Sequence, residues 1–150
     1  MKMALVSLAL VGAVAAQSVE AQSVRTAGSD AVAVAPALDD AQRLFYNGHY
    51  DAAGALTLEL CSADVESLAA CELRSSTLLF QIKRAVGGQG DKQKALKACA
   101  QCANWLAAFR AVTLTAQGVA RARLKAVPQD EATKFLLGKI DLNHVWLQLG

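Results

Sequence analysis

The chain has 150 residues, with 15 Lys and Arg against 13 Asp and Glu, a formal net charge of +2, and four cysteines. That length holds one small domain and excludes a second core, while aromatics at 5% and only two prolines favour close-packed helices over a sheet. The small net charge hides a polarity: residues 37–72 carry seven acids and one base, Arg43, whereas residues 73–126 carry ten bases, from Arg74 to Lys125, against Asp91 alone.

After Met1-Lys2, the run Met3 to Ala16 is apolar apart from one Ser and one Gly. It is too short to span a bilayer and has the length of a signal-peptide apolar region. Residues 1–21 are therefore expected to be an export signal, cleaved after Ala16 or Ala21. Neither site is preceded by a lipobox cysteine, so a soluble product in a periplasm or outside the cell is expected, where disulfides persist. Residues 22–36 show no helical stripe and end at Pro36; they read as a flexible leader. Residues 37–150 read as a single all-α domain of about five to six helices.

The first helix is expected from near Leu38, with Asp39 and Asp40 in its positive first turn and Leu38, Ala41, Leu44 and Phe45 on one face. Asn47-Gly48 ends it. A second helix, about Tyr50 to Leu60, carries Ala53, Leu56 and Leu60 at helical spacing. Ser62 or Asp64 is a candidate cap for a third, which runs to about Val86 with Val65, Leu68, Ala69, Leu73, Leu78, Leu79 and Ile82 as its apolar set. Gly87 to Gly90 breaks the chain. Asp91 then caps a run whose apolar positions Ala95, Ala98, Cys99, Cys102, Leu106, Phe109 and Val112 recur every three to four residues and continue toward Val127. An unbroken helix of that length would reach about 54 Å, too long for so small a domain to cover. A kink or break is expected between Ala111 and Gly118, where Thr113, Thr115 and Gly118 lower helix propensity. Pro128, Asp130 and Glu131 suit the first turn of a last helix, with Phe135, Leu136, Ile140, Val145, Trp146 and Leu149 on its apolar side.

Two junctions share a pattern. Gly48-His49-Tyr50-Asp51-Ala52-Ala53 and Gly90-Asp91-Lys92-Gln93-Lys94-Ala95 each place a Gly five residues before an Ala, and a looser third instance runs from Val127 to Ala132. The Gly closes one helix and the Ala lets the next approach it. Over residues 37–61 the chain resembles the tetratricopeptide repeat family: Gly48, Tyr50 and Ala53 match its turn, and Ala41 and Leu44-Phe45 match its small and aromatic positions. The intervals between junctions are 42 and 37 residues, not the family's 34, Thr57 stands where a large aromatic is usual, and no proline follows the second helix. The resemblance implies antiparallel helical hairpins stacked as a short tetratricopeptide-like solenoid of about three hairpins, with a concave groove that takes a peptide segment of another protein. The residues do not identify that peptide.

Cys61, Cys71, Cys99 and Cys102 are disulfide candidates, since an even set of thiols in an exported chain of this size is first a staple. On the helical reading Cys99 and Cys102 share one face, and a bond between them inside a helix would strain the backbone. The expected pairing is thus Cys71 with Cys102 and Cys61 with Cys99. Cys99-Ala100-Gln101-Cys102 also has the spacing of a thiol-disulfide redox site, but such a site needs its first cysteine at a helix N-terminus. The expected helix from Asp91 would bury that spacing two turns inside. A four-cysteine zinc site would want two close pairs, which Cys61 and Cys71, ten residues apart, do not supply. Haem attachment would need His after Cys102, where Ala103 stands.

No nucleophile elbow, phosphate loop or zinc-protease motif is present, and His49 and His144 read as surface or capping residues. Trp105 and Trp146 read as core. The basic stretch lacks interleaved aromatics, which makes nucleic acid a poor partner. The leading expectation is an exported, disulfide-stabilised helical adaptor that binds a protein segment, without catalytic activity, cofactor or membrane span. Two alternatives are a thiol-disulfide oxidoreductase using Cys99 and Cys102, and a binder of an anionic envelope component through residues 74–125.

Overall fold

The computed structural model describes residues 37–149 apart from 65, 88 and 89; the signal, the leader and Val65 lie outside the described residues. These residues form six α-helices and no strand: α1 over residues 37–46, α2 Tyr50–Ala63, α3 Leu68–Val86, α4 Lys92–Ala98, α5 Cys102–Ala126 and α6 Glu131–Leu149.

The turn from α1 to α2 follows from Gly48. Its φ of 77° is the left-handed conformation that closes a helix, and two hydrogen bonds seal it, Gly48 N–H to Phe45 C=O at 3.0 Å and His49 N–H to Leu44 C=O at 2.9 Å. This is the paired bonding of a Schellman motif. The chain then reverses so that Ala41 and Ala53 are both fully buried. Small side chains here keep the helices close, and Phe45 and Tyr50 close the open side with ring centroids 5.6 Å apart.

α2 runs one turn beyond the expected Leu60 and carries Cys61 with it. The start of α3 moves correspondingly from the expected caps Ser62 and Asp64 to Ser67. Asp64 instead terminates α2, and its carboxylate accepts from the Glu66 N–H at 2.9 Å. α3 lies at the centre: α2, α5 and α6 all pack on it, and α6 also packs on α5. Leu68, Leu73, Leu78, Leu79 and Ile82 from α3 meet Leu60 of α2, Phe109, Ala116 and Ala120 of α5, and Ile140 of α6 in the core. Each large apolar side chain buried there contributes about 1.5–3 kcal/mol.

Being surrounded, α3 also buries polar groups, most of them with a local or cross-helix partner, although the Gln81 Oε1 has none among the described residues. Ser75 and Thr77 hydroxyls donate to the Glu72 and Leu73 carbonyls at 2.8 Å. The half-buried Arg74 guanidinium donates to the Gly54 carbonyl at 2.6 Å, and burial lowers its pKa from the ordinary value. Asn143 of α6 donates to the Ser75 and Ser76 hydroxyls at 3.1 and 2.9 Å.

The helix expected from Asp91 onward breaks, but not where propensity placed the break. α4 stops at Ala98 after seven residues, and α5 then continues for 25 residues through Thr113, Thr115 and Gly118. Phe109, Thr113, Ala116 and Ala120 are buried along it, so packing against α3 and α6 outweighs a propensity cost of about 1 kcal/mol at the glycine. The last helix starts at Glu131, after a turn containing Pro128. Asp130 caps it, accepting from the Thr133 N–H at 3.0 Å and the Thr133 hydroxyl at 2.6 Å. No helix among the described residues is long and apolar enough to cross a membrane.

Candidate functional site

All four cysteines are bonded, in a pairing opposite to that expected. Cys61 joins Cys71 and Cys99 joins Cys102. The first bond follows from the α2–α3 junction: with α2 extended through Cys61 and α3 starting at Leu68, the two Cα atoms lie 4.8 Å apart. The second follows from the break. Cys99 is extended, with φ −85° and ψ 108°, and its carbonyl accepts from the Cys102 N–H at 3.2 Å. The two residues flank a turn, so the strain of a mid-helix bond does not arise.

The two bridges differ in surroundings. Cys71 is fully buried and Cys61 nearly so, both within the main core cluster. Cys102 is also fully buried, against Ile82 and Val86, whereas Cys99 is partly exposed and faces a surface cleft.

That cleft has a volume of about 650 Å³ and is lined by the C-terminal end of α3 and by α4, with Arg84, Ala85, Asp91, Lys94 and Cys99 on its walls. A second hollow of about 340 Å³, lined by Tyr50, Asp51, Gln81 and Trp105, has Arg84 and Ala85 in its wall too. Arg84 and Ala85 thus stand between the two hollows, which lie side by side on the outer end of α3. Aromatic surface sits at one end, where the Tyr50 and Phe80 rings are 5.4 Å apart. Arg84 stands at the middle and Lys94 beside Cys99.

The repeat-turn residues divide between the two ends. Gly48 makes the first turn, Ala53 is buried at the helix crossing, and Tyr50 lines the smaller hollow. At the second junction α3 closes on Gly87, with φ 61°, rather than on Gly90, which is exposed. Ala95 is partly buried and lines the cleft. His49 is exposed at the N-cap of α2, and His144 is half-buried on α6.

Several bases of the basic stretch are engaged within the fold. Arg123 binds the Glu66 carbonyl and carboxylate across the charge divide, Lys92 donates to the Leu147 carbonyl at 3.0 Å, and Lys83 stands 4.2 Å above the Trp146 ring. Arg84 and Lys94 are the bases that share the cleft wall.

α6 departs most from its expected face. Ile140 is buried and Leu136 partly so, but Phe135, Val145 and Trp146 are 67, 46 and 51% exposed. Trp146 is thus a surface residue, while Trp105 is partly buried against the core. The sequence expectation of a groove did not locate these hollows, because their walls depend on where α4 ends.

No family model matches this chain, and neither a curated protein nor a solved structure matches it.

Proposed function

We propose that the protein is an exported helical module, similar in build to a short tetratricopeptide-like stack, that binds an extended segment of another protein in the groove across α3. The adjacency of the two hollows, which share Arg84 and Ala85 in their walls, carries this reading. The two hollows offer aromatic surface at Tyr50 and Trp105 and carry one cation, Arg84, between them and a second, Lys94, in the wall of the larger. A fitting segment presents an apolar side chain to the aromatic end and an acidic one to Arg84 and Lys94. Backbone and side-chain anchoring of this kind concentrates affinity in a few central residues. Export is supported by the apolar run after Met1-Lys2 and by two disulfides, which persist in oxidising compartments.

A peptide-display selection against the full folded chain tests this. Peptides enriched on the native protein should lose about tenfold or more in affinity for Ala85→Trp, which fills the groove from an exposed helix position, and should bind Phe135→Ser unchanged. Equal binding to Ala85→Trp, or loss on Phe135→Ser, would move the site elsewhere.

A further inference from the structure

We infer that Cys99–Cys102 is an exchangeable disulfide, and that thiols of a partner segment reach it at Cys99 through the cleft beside Arg84 and Lys94. This adds a chemistry to the groove and rests on the binding reading only for access to that sulfur.

Three observations converge. The pair stands at the N-terminal end of the longest helix, where unpaired N–H groups and the helix dipole favour a thiolate. Cys99 ends α4 in an extended conformation two residues before the N-cap Gln101, and its carbonyl accepts the N–H of Cys102, the first residue of α5. α5 has no acid in its first turn, and Gln101 makes no side-chain capping bond. The nearest cleft carboxylate, Asp91, is occupied in capping α4 through the Lys94 N–H at 3.0 Å. The positive end of α5 is therefore left to the cysteines.

Burial then assigns the roles. Cys102 has no exposed surface and Cys99 is partly open to the cleft, so an incoming thiolate can meet only the Cys99 sulfur. Attack there forms a partner–Cys99 mixed disulfide and breaks the Cys99–Cys102 bond, with Cys102 leaving as a thiolate. A second partner thiol, losing its proton to water, attacks the partner sulfur of the mixed disulfide and releases the Cys99 thiolate. The partner dithiol is oxidised to a disulfide by two electrons and the protein pair is reduced to two thiols. Run backward, the same steps reduce a partner disulfide. Arg84 and Lys94 favour anionic thiols and acidic segments in the cleft.

Cys61–Cys71 is the internal control. Both its sulfurs sit in the core, with no cleft beside them among the hollows described, and it serves as a staple.

Trypsin leaves each pair within its own peptide, residues 44–74 and residues 98–110. The oxidised full chain is exposed to reduced glutathione, quenched, alkylated and digested. The 98–110 bridge should open about tenfold or more faster than the 44–74 bridge, and Arg84→Glu should slow its reaction with glutathione more than that with 2-mercaptoethanol, whose attacking thiolate carries less negative charge. In Cys102→Ser, treated instead with oxidised glutathione, the Cys99 thiolate should attack the glutathione disulfide, release one glutathione thiolate and retain the other as a mixed disulfide. Equal opening of both bridges in the native chain, or earlier opening of 44–74, would overturn the inference whether or not the variants fold, and neither outcome bears on peptide binding to the groove.

Discussion

The Glu72 carboxylate, buried inside α3, accepts from the Lys139 ammonium of α6 at 2.7 Å, while its other oxygen accepts from the Ser76 hydroxyl at 2.7 Å. Glu72 is 3% exposed, so those two donors take the place of water around its carboxylate. Lys139 reaches in from the surface, with its side chain 38% exposed. Removing it strands a buried anion. Lys139→Met should therefore destabilise by about 2–3 kcal/mol in urea unfolding, toward the lower end for a buried pair because one partner is solvated. Adding Glu72→Gln to it should recover part of that loss. A change under about 0.5 kcal/mol would show that the seam between α3 and α6 does not rely on the pair.

The two disulfides should contribute unequally. Cys61–Cys71 closes a separation of ten residues and Cys99–Cys102 one of three, which on loop-closure entropy corresponds to about 2.7 and 1.6 kcal/mol. The double replacement C61A/C71A should lower stability more than C99A/C102A, and its added cost should include lost packing in the core. Thermal or urea unfolding of both variants checks the order.

Glycine substitutions at Gly48 and Gly118 should have opposite signs. Gly48 holds φ 77°, so Gly48→Ala should cost about 1 kcal/mol or more. Gly118 lies within uninterrupted α5, and nothing stands within 4 Å of where its Cβ would be. Gly118→Ala should stabilise by about 0.5–1 kcal/mol.

These sites show what the sequence made legible. Gly48, Ala41, Ala53 and the Asp91 cap could be read because local chemistry alone determines them, through a left-handed turn, a close crossing and an N–H acceptor. The break at residues 99–101 could not be read. Ala95, Ala98, Cys99, Cys102 and Leu106 keep helical spacing across it, since one tight turn preserves the phase of the apolar pattern. Propensity pointed to Thr113 and Gly118 instead, where burial on two neighbours holds the helix. The face of α6 was also ambiguous: Phe135, Leu136, Ile140, Leu142, Val145 and Trp146 spread around its circumference, so periodicity could not choose which of them would turn inward. The groove inherits both uncertainties, because its walls are set by the end of α4 and the packing of α3.

Acid should act on the start of α6. The Thr133 hydroxyl, then the Thr133 N–H, with smaller help from the Ala132 N–H and Arg123, hold the Asp130 carboxyl below its usual range, against a small opposing effect of burial. A carboxyl lowered by folding stabilises the fold above its unfolded value of about 3.9, and that contribution is lost as pH falls through the lower folded value. Protection of the Thr133 and Lys134 amides from exchange, relative to the unfolded chain at the same pH, should therefore fall in acid, and Asp130→Asn, which keeps an acceptor but no charge, should show a smaller fall. An unchanged acid dependence in Asp130→Asn would place the sensitive group elsewhere.

Binding across α3 and exchange at Cys99 both require the chain to turn between α4 and α5, with Cys99 bonded to Cys102. A tryptic disulfide map of the unreduced protein tests that requirement most directly. The expected result is two separate peptides, residues 44–74 and residues 98–110, each carrying its own internal bridge and each two mass units lighter than its reduced form. A single species joining the two peptides, through Cys61–Cys99 and Cys71–Cys102 or the crossed alternative, would contradict it.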